Sequence, residues 1–264
     1  MTPMENNLIK LQNNLRDLGM ESMSAAIPEY LSMVGRGDKT AVDALYELTC
    51  AEIRAKDARR TEACVRQANF PYVKELSDFD FSFQPSLNRG EVVDLSYLAF
   101  AQKAENVVFI GSPGVGKTHL AIALGVCSAR QRMSTYFIPC MDLMMQLKRA
   151  RLEGKLEDRL KYFAKYRVLI IDEVGFLPLD AESSNLFFQL ISRRYERNAT
   201  IVTTNKPLAK WAEVFGDPVL ASAILDRILH HSHVITIVGR SYRTKDLTAA
   251  AEPLGVKEEK KKGE

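Results

Sequence analysis

The sequence predicts an α/β protein, in which a parallel five-stranded sheet flanked by helices follows a small all-helical N-terminal unit. Three observations carry this. Five short apolar runs rich in β-branched residues, Val107–Ile110, Thr135–Ile138, Val168–Ile171, Ile201–Thr203 and Val234–Val238, alternate with amphipathic stretches. Runs of this texture suit strands buried on both faces, and the alternation suits a parallel sheet with helical crossovers. A glycine-rich turn joins the first run to the helix after it. The leading segment has helical spacing instead, with Leu8, Leu11, Leu15 and Leu18 on one face.

Taken in order, Gly19 is placed to stop the first helix, and Pro28 is expected to interrupt the next segment. Thr40, three residues before Asp43, caps a helix that passes through Leu45, Leu48 and Ile53 into the basic stretch Arg54–Arg66. Residues 1–68 are thus read as a helical domain. Residues 69–90 are read as a linker, marked by Phe70-Pro71-Tyr72 and by Phe79, Phe81 and Phe83. These three rings alternate as in a strand and pack either beside an adenine or on the linker's own surroundings. The sheet domain is assigned to residues 91–250, with a helix over Lys117–Gln131 after the strand Val107–Ile110. Only 26 residues follow Val238, too few for a further helical bundle. The polar end, 251–264, is expected to be disordered.

Composition narrows the class. At about 150 residues per domain, 264 residues suit one medium domain and a small one. Hydrophobic residues at 46% and charged residues at 26% exclude a mostly disordered chain. No apolar run approaches the roughly 18–20 residues needed to span a bilayer, and the first residues lack a basic and apolar leader. Cys50, Cys64, Cys127 and Cys140 lie far apart, so neither a disulfide framework nor a cysteine zinc site is expected. A cytoplasmic protein without a membrane partner fits these features.

Gly111-Ser-Pro113-Gly114-Val115-Gly116-Lys117-Thr118 matches G-x-x-x-x-G-K-[ST], between a strand and a helix as that motif requires. Its glycines let backbone N–H groups turn toward phosphate oxygens at a helix N-terminus. Lys117 is placed for the β- and γ-phosphates of ATP, and Thr118 for Mg²⁺. His119 follows, where its backbone N–H meets phosphate. Val168–Ile171 ends in Asp172-Glu173, a strand delivering two carboxylates to the ligand edge of a sheet. Asp172 suits the metal and Glu173 the attacking water. Asn205, after the strand Thr200–Thr203, suits the γ-phosphate and that water. Arg227 either reaches a neighbouring subunit's γ-phosphate or pairs with Asp226 or Asp217 on its own surface. Arg243 is a second arginine candidate for the nucleotide.

In this order, the phosphate loop, Asp172-Glu173, Asn205 and Arg227 resemble an AAA+ ATPase. Phe79-Asp-Phe-Ser-Phe-Gln-Pro-Ser-Leu87, Gly116-Lys-Thr-His-Leu120, Phe188-Gln-Leu-Ile-Ser-Arg-Arg-Tyr195 and Val214–Arg227 resemble the IstB-like ATP-binding proteins of insertion-sequence transposition. Those are similar to DnaC-type helicase loaders, which also lack a helical lid. The sequence differs from common members in having Thr203-Thr204-Asn205 where Thr-Ser-Asn is usual. The resemblance implies ATP-controlled assembly of like subunits on duplex DNA, with ATP sites between them, and help to a partner transposase in target selection. A replicative helicase loader is the alternative. It also implies a bacterial cytoplasmic protein, nucleoid-associated when DNA-bound.

Net charge is only +3, from 36 Lys+Arg against 33 Asp+Glu. Lys148–Arg167 alone carries eight basic and three acidic residues, more net positive charge than the whole chain. A helix, a turn at Gly154 and a second helix fit this stretch. Lys148, Arg149, Arg151, Lys155 and Arg159 are the DNA candidates there, giving phosphate contacts with little sequence reading. Arg59 and Arg60, in Arg54–Arg66, either touch DNA or pair with acidic neighbours. His230-His231-Ser232-His233 invites a metal reading, but no acidic or cysteine partner is spaced with it. Met141, Met144 and Met145 suit core or subunit contact. A small-molecule kinase would need arginines on a closing lid, which the sequence does not display, and a non-hydrolysing scaffold would leave Glu173 without a role.

Overall fold

The computed structural model describes residues 3–244. The chain divides into two compact units, Met1–Ala63 and Cys64–Glu264. The expected polar tail, 251–264, lies outside the described residues.

The first unit holds α1 (Pro3–Asp17), α2 (Glu21–Gly35) and most of α3 (Ala41–Gln67). Gly19 closes α1 with φ +68°, and its N–H and that of Met20 return to the carbonyls of Arg16 and Leu15. Leu15, Met23, Ile27 and Leu48 form the small core. Thr40 caps α3, accepting the Asp43 N–H at 3.1 Å. Pro28 does not interrupt its segment and sits inside α2. A helical proline cannot donate to the carbonyl four residues back, here Ser24. Gln12 of α1 takes over that bond, its side-chain amide donating to Ser24 O at 3.0 Å while Ser24 Oγ donates to Gln12 O at 2.9 Å. The N-cap of α2, Met20, has no side-chain acceptor, and Glu52 of α3, 4% exposed, accepts the Met23 N–H instead at 2.9 Å.

The second unit begins with a linker whose aromatic alternation does not form a strand. Two 3-10 turns, Leu76–Asp78 and Phe81–Phe83, occupy it. Asp80 decides this locally, since its carboxylate accepts the N–H groups of Ser82 and Phe83. Next come α4 (Arg89–Ser96), α5 (Ala99–Gln102), β1 (Asn106–Gly111), α6 (Lys117–Arg130) and β2 (Thr135–Pro139). Then follow α7 (Cys140–Leu152), α8 (Leu156–Ala164), β3 (Val168–Val174), α9 (Ala181–Arg194) and β4 (Ala199–Thr204). A 3-10 turn (Leu208–Lys210), the short α10 (Trp211–Phe215), α11 (Pro218–Leu229), β5 (Ser232–Ile237) and a last 3-10 turn (Tyr242–Thr244) complete the described elements.

The five strands are all parallel, in the order β2-β3-β4-β1-β5. Alternate residues face opposite layers, as strand geometry requires. Val107, Phe109, Val168 and Ile170 pack with α4, α5 and α6. Val108, Leu169, Ile171 and Val202 pack with α7, α9, α10 and α11. Both faces are buried, which explains why the strands read as continuous apolar runs. No described helix is long and apolar enough to cross a membrane.

One buried cation braces this unit. Arg194, 1% exposed at the end of α9, donates to Thr200 Oγ1 and to the carbonyls of Phe163, Ala164, Tyr166 and Ala199. Burial lowers its pKa to about 9, which leaves it charged at neutral pH. The carbonyls stand in for water around a charge that has no carboxylate partner among the described residues.

Candidate nucleotide site

The site lies where β1, β3 and β4 end. β1 delivers the loop at Gly111, and α6 starts at Lys117. Gly116 adopts φ +99°, and a Cβ there would meet Phe79 Cε2 at 2.5 Å. The loop therefore needs glycine on both conformational and steric grounds. Phe79 also meets the His119 ring edge-on at 5.3 Å, so the linker packs directly on the start of α6.

A hydroxyl–carboxylate hub lies beneath the loop. Thr118 Oγ1 is 2.9 and 3.1 Å from the two oxygens of Asp172. Thr203 Oγ1 donates to Asp172 Oδ1 at 2.5 Å and accepts the Glu173 N–H at 2.9 Å. Asp172 is 6% exposed, and burial raises its pKa, opposed by the Thr203 and Thr118 hydrogen bonds.

The backbone explains how two adjacent carboxylates take different environments. β3 pairs Ile171 with Val202 and Val174 with Thr204, so it carries one residue more than β4 between those pairs. Glu173 absorbs the bulge with φ +59°. Bulges of this kind re-aim side chains at sheet edges and sites. Asp172 stays buried in the hub while Glu173 is exposed at the cleft.

The cleft measures about 370 Å³. Pro113, Gly114, Val115, Gly116, Lys117, Thr118 and His119 line it, with Glu173, Asn205 and Arg243. Lys117 Nζ rests on Ser112 O at 2.8 Å, and burial depresses its pKa. Asn205 contributes a buried side-chain oxygen without a hydrogen-bond partner among the described residues. Tyr242 N–H donates to Gly114 O at 2.9 Å, which brings the Ser241–Arg243 segment against the loop. Sequence reasoning gave no role to Tyr72, Asp78, Gln84, Phe176 or Tyr242, which also line the cleft. No spacing signal marks them, because they converge from the linker, the turn after β3 and the chain after β5.

The donor set fits a nucleotide with a hard divalent cation. A hydroxyl and a carboxylate are the oxygen ligands such a cation takes. Lys117 and Asn205 supply the polar groups that a phosphate would meet in this cleft.

Arg227 does not line its own cleft. Its guanidinium lies 4.7 Å from the Phe188 ring centroid and donates to Ala223 O at 2.9 Å. It forms an ion pair with neither Asp226 nor Asp217 among the described residues.

The basic stretch is also more neutralised than its composition suggests. Lys148 pairs with Asp180 at 2.5 Å, Arg149 with Glu153 at 2.8 Å and Arg151 with Glu182 at 3.2 Å. Arg159 bonds Gln146 and lies over the Tyr162 ring. Lys155 is exposed and forms no ion pair among the described residues. In the first unit Arg59 pairs with Glu52 at 3.1 Å, while Arg60 stays exposed.

Comparison with known proteins adds to this geometry. The family model described as IstB-like ATP binding protein matches residues 13–250. The chain belongs to this family. It is similar to a Bacillus thuringiensis subsp. berliner protein named as an ATP-binding protein of insertion sequence IS232, with 47% identity over 92% of this chain and 97% of that one. A Pseudomonas aeruginosa counterpart named for insertion sequence IS21 is 43% identical over 90% of this chain and 89% of that one. A solved structure of DnaI aligns with TM-score 0.52 and 24% identity, over 64% of this chain and 89% of that one. The likeness to DnaI shows the fold alone. This chain is therefore an IstB-like ATP-binding protein with a P-loop sheet domain.

Proposed function

We propose that this IstB-like protein hydrolyses ATP, assembles with copies of itself on duplex DNA, and assists a transposase in using target DNA. The observation that carries the catalytic part is the Thr118–Asp172–Thr203 hub with Glu173 beside it. The loop N–H groups and Lys117 bind the phosphates. Mg²⁺, held by Thr118 and Asp172, would supply charge neutralisation at the phosphates. Glu173 accepts the proton of the attacking water, and Asn205 orients that water. Arg243 adds a positive charge at the same cleft. Arg227, displaced from its own cleft, is directed to the γ-phosphate of an adjoining copy.

The names of the relatives support the insertion-sequence setting. The DNA reading rests on Lys148, Arg149, Arg151, Lys155 and Arg159, with Arg59 and Arg60, as phosphate contacts. Glu173→Gln tests the reading. ATP binding is expected to persist and DNA complexes to live longer, while phosphate release falls by orders of magnitude. Unchanged turnover would remove Glu173 from its role. Electron microscopy with duplex DNA, with and without ATP, tests assembly, and absence of an ATP-dependent multimer overturns it.

A further inference from the structure

The histidine run at the end of α11 acquires an acidic partner through the fold. Glu196, in the turn after α9, lies beside His230 and His231, thirty-odd residues away in sequence. Its Oε1 is 3.6 Å from His230 Nδ1 and 3.6 Å from His231 Nε2. All three donor atoms lie within 4.8 Å of one another, and all three residues are exposed. Ligands about 2.0–2.1 Å from a tetrahedral zinc ion lie roughly 3.4 Å apart, close to these separations. The two rings are 4.0 Å apart, and the Tyr195 hydroxyl reaches His230 Nδ1 at 2.6 Å.

We propose that Glu196, His230 and His231 form a surface site for a borderline transition-metal cation, with zinc the best match. Two imidazoles and one carboxylate are the donor set that Zn²⁺ takes with a water in the fourth position. Magnesium and calcium, which prefer oxygen ligands, are disfavoured. The site shares no residue with the Thr118–Asp172 hub or with the lining of the cleft. Binding displaces the Tyr195 hydroxyl from His230 Nδ1. The ion then clips the turn after α9 to the end of α11, the two helices that hold Phe188 and Arg227. Metal occupancy therefore steadies the helix pair that presents Arg227.

The test is titration of the metal-stripped full-length protein with ZnCl₂ by calorimetry, and with CoCl₂ by visible absorption. One zinc per chain is expected. Cobalt should give d–d bands without the thiolate charge-transfer absorption that cysteine ligation would add. His230→Ala/His231→Ala and, separately, the near-isosteric Glu196→Gln should each weaken binding at least tenfold, with ATP binding retained as evidence of folding. No saturable binding, thiolate absorption, or zinc affinity unaltered in these variants overturns the proposal.

Discussion

The Thr203 hydroxyl holds the Asp172 carboxylate at 2.5 Å. The same oxygen accepts the Glu173 N–H, so one side chain secures both acidic residues at the bulge. Thr203→Val keeps the shape and removes both bonds. It is expected to cost about 1–3 kcal/mol of stability, because the Glu173 N–H loses its partner beside the buried Thr203. Urea denaturation measures this, and phosphate release should fall with it. A variant as stable as the parent would show that water replaces the hydroxyl.

Lys117 yields two opposite pH trends. Burial lowers its pKa below the ordinary lysine value of 10.5. Between the lowered value and that of the unfolded chain, the unfolded state binds more protons, so stability without nucleotide rises with pH through this window. Phosphate binding needs the charged form, so ATP affinity should fall as pH climbs through the same window. Fluorescent-nucleotide binding and denaturation from pH 8 to about pH 10.5 read the two trends. Parallel slopes would refute the assignment.

Arg194→Leu should be among the most damaging substitutions outside the nucleotide cleft. It strands several carbonyls that now share one guanidinium, a loss of roughly 3–5 kcal/mol by analogy with broken buried charge pairs. Thermal denaturation should show a large drop. A small effect would mean that the carbonyls find other donors.

The ion pairs of the basic stretch rank its residues for DNA. Lys155 has its charge available, whereas Lys148 is already matched by Asp180. Lys155→Ala should weaken duplex binding and reduce the log–log salt slope by about 0.9 if it meets one phosphate. Lys148→Ala should change the slope less. Anisotropy titrations across a salt series compare them, and the reverse ranking would place DNA elsewhere.

What could be read in advance had a local physical cause. The phosphate loop and the five buried strands are written in adjacent residues, so type and position emerge from spacing alone. Three features depended on particular side-chain contacts, two of them from distant elements. Pro28 stays helical because Gln12 of another helix takes the orphaned Ser24 carbonyl. The alternation of Phe79, Phe81 and Phe83 yields to the Asp80 carboxylate, which accepts the Ser82 and Phe83 N–H groups. Arg194 looks like one more surface charge beside Arg193, yet it fills a pocket of carbonyls between α8 and β4. The positive charge of Lys148–Arg167 was legible in amount but not in availability, since Asp180 and Glu182 come from beyond the segment.

The φ of +59° at Glu173 has a practical consequence. A non-glycine residue in that conformation costs on the order of 1 kcal/mol, so glycine would be the more comfortable occupant. Any scheme that engineers heat resistance by relieving backbone tension would select this position early. It would gain a sturdier protein and discard the carboxylate assigned to water activation. At this one residue, durability and turnover pull the chain in opposite directions.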